Sequence, residues 1–373
     1  MAIDLVRRRL LGAVPAGLLL AQLAAPARAA LAGAEPALLT CWADSPERPR
    51  RFFAGRSDAL ASALELPARG HDLAWHPSGD GSAVVAARRP GRFLMRWQVA
   101  SGRPLAEFDV YDADEDIRLE GHLAFSRDGR LLFATESELI DGQGRVGVYD
   151  AHTLERLAAW PTGGIGPHAV QQLADGRIAV ANGGILTLPE TGRLKRNLDS
   201  MDPSLALLDP ADGRLLAHYR LPDPWMSVRH IAQAADGRIA VSLQNEAADA
   251  ASPDYARPLF ARVDGDALRY GAASAEVLAA CGGYAGDIVA VAHAAGPVFA
   301  VSCSVAGTLA LWRADGAFVG QLPTPGVCAL TVAGGGLVAT GDGGDLWQVA
   351  AASAQPRGHW PHPFAFDNHA RPA

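Results

Sequence analysis

The chain has 373 residues, of which 49% are hydrophobic, so it is long enough to bury a large core within a single domain. Its formal net charge of −7 argues against a nucleic-acid-binding protein, because such proteins present basic surfaces to phosphates. The 40 glycines and 25 prolines are spread along the chain, which favours many short strands joined by tight turns.

The beginning of the chain has the layout of an export signal. An arginine triplet at residues 7–9 precedes an apolar run over residues 10–23, and Ala-Arg-Ala at residues 27–29 has the small-x-small pattern of a cleavage site. We predict a signal peptide over residues 1–29, of the twin-arginine or the general secretory type, and a soluble periplasmic protein from residue 30. A retained membrane anchor is disfavoured because the apolar run is shorter than the ~18 residues that a span requires. We expect the mature chain to be a monomer with no membrane span and a charge of about −10.

A unit of roughly 40 to 60 residues recurs along the predicted mature chain. Each clear copy contains an alternating strand, an Asp-Gly turn typical of hairpins and further apolar strands. The clear copies begin at Gly70, Gly121, Pro167 and Arg229, the fainter ones at Gly286 and Gly326, and an incomplete first copy spans residues 37–67. An aromatic residue recurs near the end of the third strand, at Trp97, Tyr149, Trp312 and Trp347. Seven such copies predict an all-β, seven-bladed β-propeller of the WD or YVTN type over residues 30–373, in preference to a row of separate sandwiches.

The two ends of the repeat array complement each other. The first copy lacks its innermost strand, whereas residues 362–370 form a strand-like segment after the last blade. We predict that this C-terminal segment supplies the missing strand and closes the ring, which would remove the sheet edges that an open ring exposes.

Cys41, Cys281, Cys303 and Cys328 leave two possibilities open. In an oxidising compartment they could form two disulfides in any of three pairings. Buried free cysteines on strands are the alternative. No CxxC spacing indicates a metal knuckle or a redox pair.

Four histidines occupy the same phase of the repeat, at the start of the innermost strand: His71, His122, His168 and His230. His369 would join them through the C-terminal strand, and we predict that all five meet at one rim of the central channel. Imidazole is a common ligand for iron, copper and zinc, so these five are candidate metal ligands. The equivalent positions of the two faint blades fall near Asp287 and Cys328, which are also ligand-capable types. The alternative is architectural, since WD-type repeats carry a histidine that only bonds within its blade.

Because successive strands of a blade run in opposite directions, each second strand ends at the rim where the first strand begins. The further candidate ligand-binding residues there, together with one from the C-terminal segment, are Arg88, Glu136, Asn182, Gly183, Gln244 and Asn368. Two long insertions, residues 185–203 and 245–257, join second to third strands and are therefore expected over this mouth. Long loops on one face of a rigid scaffold are where binding usually occurs.

Several short segments together resemble domain-of-unknown-function family 1513, a family of exported bacterial propellers of about this length. They are ARGH (68–71), GIGPH (164–168), ANGGI (181–185), TGRLKRNLDSMDPSL (191–205), RH (229–230) and FDNH (366–369). The resemblance covers essentially the whole predicted mature chain, although Phe366 and Ala370 stand where Trp and Leu would be more typical. Members tend to be encoded beside imelysin-type, iron-regulated envelope proteins. The resemblance therefore implies a supporting role in the acquisition of iron or another metal.

Three functions fit these residues. The first, which we favour, is a non-enzymatic binding or accessory protein whose histidine-rich mouth holds a small ligand or a transition-metal ion (Fe, Cu or Zn). The second is a propeller enzyme of the lactonase or lyase type, with Glu136, His168, Asn182 and His230 as catalytic candidates. The third is an interaction scaffold for an envelope partner protein, with structural histidines. GxSxG, HExxH, P-loop and dinucleotide motifs in their proper context are absent from the sequence, which disfavours acyl-transfer and nucleotide chemistry.

Overall fold

The computed structural model describes residues 34–113, 116–187, 194–249, 255–351 and 355–373. The predicted signal peptide at residues 1–29 lies outside these ranges. The described residues form seven four-stranded antiparallel sheets arranged as the blades of a β-propeller, so the predicted fold is confirmed. Among the described helices, none combines the length and the apolar character needed to cross a bilayer.

In every blade the strands run from the channel outward. Blade 1 has the order β28 (Ala365–Pro372), β1 (Leu38–Ala43), β2 (Phe52–Arg56) and β3 (Leu64–Leu66). Blade 2 contains β4 (Gly70–Trp75), β5 (Ser82–Ala87), β6 (Phe93–Gln98) and β7 (Arg103–Asp109). Blade 3 contains β8 (Ile117–Phe125), β9 (Leu131–Glu138), β10 (Gln143–Asp150) and β11 (Arg156–Ile165). Blade 4 contains β12 (Pro167–Gln172), β13 (Ile178–Asn182), β14 (Ser204–Leu208) and β15 (Leu215–Arg220).

The remaining blades repeat this order. Blade 5 contains β16 (Met226–Gln233), β17 (Ile239–Asn245), β18 (Phe260–Asp264) and β19 (Ala267–Tyr270). Blade 6 contains β20 (Asp287–Val291), β21 (Val298–Cys303), β22 (Thr308–Arg313) and β23 (Phe318–Pro323). Blade 7 contains β24 (Val327–Ala333), β25 (Gly336–Gly341), β26 (Asp345–Ala350) and β27 (Gln355–Pro361). The short helices of the described segments are α1 (Val110–Ala113), α2 (Ala275–Ala280) and three 3₁₀ turns, Leu60–Ser62, Leu198–Ser200 and Glu246–Asp249.

The C-terminal strand closes the ring as predicted. β28 pairs antiparallel with β1, with Ala370 opposite Thr40 and Phe366 opposite Trp42. The Phe366 side chain is 1% exposed and packs in a core that also contains residues of blade 7. Blade 1 therefore joins the two ends of the chain, and its innermost strand comes from the far end of the sequence.

The recurring sequence signals correspond to recurring structure. The Asp-Gly steps lie in the turns between the first two strands of blades 2 to 5, where Gly176 and Gly237 have φ of +94° and +90°. Such values strain any residue with a Cβ, so glycine is required there. The aromatic residues of the third strands, Trp97, Tyr149 and Trp312, are fully buried between blades. The turns and the buried aromatic side chains thus determine how the blades are arranged. The Asp-Gly turns lie on the propeller face opposite the loops that join second to third strands.

The four cysteines are free and buried in the structure. Cys281 follows α2 and shares a sulfur hydrogen bond with Cys303, which lowers the pKa of Cys281 and raises that of Cys303. Of the two possibilities left open by the sequence, the structure shows the thiol form.

Candidate functional site

Five histidine rings meet inside the channel. Each is carried by an innermost strand, and each residue is only 3% to 6% exposed. His122 is central, because its ring centroid lies close to those of the other four: His168 at 4.4 Å, His71 and His369 at 4.8 Å, and His230 at 5.0 Å. We call these five residues the histidine layer. These histidines lie within the channel and not on its outer rim. Their position in the sequence repeat could not distinguish these two locations.

Irregular strand pairing brings these side chains inward. In the innermost strands of six blades, the register against the second strand slips where the channel residues lie. Gly70 and Leu73 of β4, three residues apart, pair with Ala87 and Val85, which are two apart, so one extra residue is accommodated. Such bulges re-aim side chains that a regular strand would send alternately to its two faces. Adjacent residues, such as His71 and Asp72, can therefore both serve the site.

A carboxylate lies behind three of the rings. The Nδ1 atom of His71 is 3.3 Å from Asp367, that of His122 is 3.5 Å from Asp72, and that of His369 is 3.6 Å from Asp287. Carboxylates in this position fix the orientation of an imidazole and make its other nitrogen a better metal ligand. The aspartates are themselves held: Arg371 donates to Asp72 over 2.7 Å, and Arg69 pairs with Asp367.

Four ring nitrogens of the histidine layer have no hydrogen-bond partner in the described part of the chain. Among the described residues, no partner is found for Nε2 of His122, His230 and His369, nor for Nδ1 of His168, and all four atoms are buried. Leaving a buried polar atom unpaired costs about 1–3 kcal/mol. Three overlapping sets of potential ligands have their atoms within 4.8 Å of one another: His71, His122 and His369; His122, His168 and His230; and His230, Asp287 and His369.

The protonation states follow from burial. Burial lowers the pKa of His71 to about 4, although Asp367 opposes the shift. The pKa values of His122, His168 and His230 are also well below the usual value, mainly because of burial and then of neighbouring charges. Burial acts on His369 in the same direction, but attraction and a hydrogen bond to Asp287, together with attraction to Asp72, raise that pKa. At neutral pH four of the five rings are therefore neutral, which is the form that binds metals.

The histidine layer separates two openings of the channel. On the side of the loops between second and third strands lies a cavity of about 40 Å³, lined by His71, Arg88, Arg89, His168, Arg229, His230, Tyr284 and Asn368. We call it the arginine cup. On the opposite side lies a larger vestibule of about 390 Å³, whose lining includes Asp72, His122, His230, Asp287 and His369. Histidines of the layer can thus be reached from both ends of the channel.

The chain matches the family described as "Protein of unknown function (DUF1513)" over residues 64–372. It belongs to this family. The resemblance drawn from the sequence motifs is thereby confirmed. A search of curated proteins found no match to the chain.

Several other residues of this DUF1513 member that the sequence analysis selected lie near the layer. Arg88 and Asn368 line the arginine cup. Gly183 lies beside it, because a Cβ at this position would be 3.3 Å from Nη1 of Arg229. Gln244 is half-buried, pairs with Ser227 of β16 and forms an isolated bridge with Tyr284, which precedes β20. Cys328 points instead at backbone carbonyls of Thr340 and Asp367, and burial raises its pKa to about 12.

Two of the predicted site residues are held inside the sheets. The Glu136 carboxylate is fully buried and receives hydrogen bonds from the Tyr149 hydroxyl and, over 2.7 Å, from Nη2 of Arg156. Asn182 is also fully buried, and its amide donates to Thr162 O and Ser204 Oγ. Tyr149, Arg156 and Ser204 lie in outer strands of the same blades, whereas Thr162 lies in the outermost strand of the neighbouring blade 3. The alternation of strand direction correctly placed Glu136 and Asn182 along their strands, but it did not predict the direction of their side chains.

The Glu136 site yields a prediction about stability. Glu136→Gln should lower the free energy of unfolding by about 3 kcal/mol, because it removes the fully buried member of an ion pair whose partner, the Arg156 guanidinium, is half-buried. Glu138→Gln, on the same strand but in a half-exposed pair with Arg145, should cost less than about 1 kcal/mol. Urea denaturation would measure both changes. Equal costs for the two variants would contradict a structural role specific to Glu136.

Sequence reasoning missed the charged residues that surround the histidines. Asp72 directly follows His71, Asp367 precedes His369 by two residues, and Arg229 precedes His230. In a regular strand, adjacent residues point to opposite faces, so Asp72 and Arg229 were not expected in the channel, whereas Asp367 shares the face of His369 but was not selected. The recurrence of a charged residue next to a phased histidine is the signal that could have indicated them.

Proposed function

We propose that this protein binds a transition-metal ion in the histidine layer and acts as a binding or accessory protein. The observation that carries the proposal is that four buried imidazole nitrogens have no partner among the described residues, in histidines whose potential ligand atoms lie within 4.8 Å of one another. Coordination would satisfy these atoms, whereas a purely architectural histidine would be hydrogen-bonded within its blade. The connection with iron or other metal acquisition implied by the family resemblance is a natural setting for such a site.

The donor set and the spacing suit a late first-row ion. Neutral imidazole is a favoured ligand of zinc, copper, iron and nickel, and carboxylates in the second layer of contacts are common at such sites. Three nitrogens bound to one ion at ~2.1 Å lie about 3.4–3.6 Å apart. The ligand atoms of each candidate set lie within 4.8 Å of one another, so an inward shift of at most about 0.7 Å per ligand would complete coordination.

Metal analysis of protein isolated from its own cell envelope, together with zinc titration of the metal-free protein, would test the proposal. We expect retained metal in the native protein and at least a tenfold loss of zinc affinity in His122→Ala, because His122 adjoins all four other rings. The double variant His168→Ala, His230→Ala should lose metal as well. Asp72→Asn should weaken zinc binding by about 10- to 100-fold, because it removes the carboxylate behind His122.

The control for these variants is His152→Ala, since this exposed histidine lies outside the histidine layer and should leave zinc binding unchanged. Native protein without metal, combined with zinc binding that is negligible or equal in all variants, would contradict the proposal. An interaction scaffold would then be the better-supported function.

The enzymatic alternative has less support from the geometry. Of its four candidate catalytic residues, Glu136 and Asn182 are engaged with partners inside the sheets. His168 and His230 belong to the layer and also line the arginine cup. A reaction at this site would therefore depend on the metal and the histidines.

A further inference from the structure

The arginine cup gathers positive charge above the histidine layer. Arg88 and Arg89 follow the end of β5, and Arg229 comes from the bulged part of β16. Tyr284 and Asn368 complete the polar lining, and none of the described residues that line this cavity is acidic. Three guanidinium groups therefore share a small space with no carboxylate among its walls.

Arg229 is the critical group. The residue is 4% exposed, its Nε atom has no hydrogen-bond partner among the described residues, and no described carboxylate lies within 4.0 Å of its guanidinium. The acids of this region are engaged elsewhere: Glu120 pairs with Arg89 at 3.5 Å, and Glu246 pairs with Lys195 at 2.5 Å. Burying a cation without a direct counter-charge is costly. Charged groups kept in such costly surroundings cluster at functional sites, where a ligand can supply the missing charge.

The glycine step after Asn182 fits the same arrangement. A Cβ at Gly183 would lie 3.0 Å from Ser227 Oγ and 3.3 Å from Nη1 of Arg229. The absence of a side chain there leaves room for the guanidinium beside the cup. Ser227 donates to the Gly183 carbonyl over 2.8 Å, which holds the two segments together.

We infer that the arginine cup binds a small oxyanion, such as a carboxylate or a tetrahedral anion of sulfate size. Guanidinium groups match such anions because two parallel N–H groups can bind two oxygens. A cavity of about 40 Å³ exceeds the ~10–15 Å³ needed for one water, so it admits a compact anion but not a bulky one. Binding at Arg229 needs no metal, so this inference stands independently of the proposed metal site.

Calorimetric titration of EDTA-treated, metal-free protein with sodium sulfate tests the inference. We expect saturable binding to the wild type and at least a tenfold weaker affinity in Arg229→Gln. Asn368→Asp, which adds a negative charge to the cup without changing its size, should also weaken sulfate binding at least tenfold. Arg130→Gln removes a positive charge from an exposed pair with Asp128 and should bind sulfate as the wild type does.

The variants also report on folding. Arg229→Gln should unfold at the same temperature as the sulfate-free wild type or higher, because it removes a buried charge that lacks a direct counter-ion. Saturable sulfate binding that persists undiminished in both Arg229→Gln and Asn368→Asp would overturn the inference. Absence of binding to the metal-free wild type would overturn it too, whatever the outcome of the metal experiments.

Discussion

A chain that ends at Pro361 should fail to form a stable monomeric propeller. The truncation removes β28, and with it the hydrogen-bond partner of β1 along the channel. Phe366 and Ala370, both 1% exposed, would leave the core between blades 1 and 7. Loss of a single buried phenylalanine side chain typically costs 3–5 kcal/mol, and here the strand that carries it is lost as well. The exposed edge of β1 would then offer a template for pairing between chains, so we expect aggregation.

Size-exclusion chromatography and thermal unfolding would measure this effect. Removal of Ala373 alone leaves β28 intact and serves as the control. A synthetic peptide of residues 362–373, added during refolding, should partly restore the monomer, because it can take the place of the missing strand. A truncated chain that remains monomeric with the full unfolding temperature would show that ring closure contributes little to stability.

The metal-free protein should lose stability steeply as the pH falls from 6.5 towards 4. The pKa values of His71, His122, His168 and His230 are lowered in the folded state, chiefly by burial, whereas they are near 6.5 when the chain is unfolded. In this pH range the unfolded state therefore binds more protons, and protonation favours unfolding. Each such histidine contributes at most about 1.4 kcal/mol per pH unit, so four give a slope of up to about 5.5 kcal/mol per pH unit.

His369 acts in the opposite sense. Its pKa is raised because Asp287 and Asp72 together outweigh burial, so the stability that it contributes is present below pH 6.5 and is lost as the pH rises through its folded pKa. His369 therefore does not offset the loss of stability between pH 6.5 and 4. A bound metal should shift this loss of stability to lower pH, because protons and the ion compete for the same nitrogens.

Denaturation curves collected between pH 4 and 8 would test this prediction. His168→Gln removes a titrating group that has no carboxylate at its Nδ1, so the slope should fall by about 1.4 kcal/mol per pH unit. His152→Ala should leave the slope unchanged, since this residue is exposed. A stability that is independent of pH between 7.5 and 5, or a wild-type slope in His168→Gln, would contradict the role of the buried neutral rings.

The amino-acid sequence alone determined the blades, because their number and order depend on local signals. Asp-Gly turns need positive φ, and the third-strand aromatic residues recur once per blade, so the repeat could be counted in one dimension. The position of the histidines within each repeat then placed them on the innermost strands. The strand-like tail that contains His369 indicated how the ring closes.

Only the tertiary structure decided which side chains share the channel. Strand bulges turn Asp72 and Arg229 inward beside their neighbouring histidines, whereas alternation predicts opposite faces. The direction of the Glu136 side chain depended on its partners Tyr149 and Arg156, which lie on the next two strands of its blade. Contacts of this kind join residues that are distant in sequence or displaced in register. A local sequence pattern therefore does not predict them.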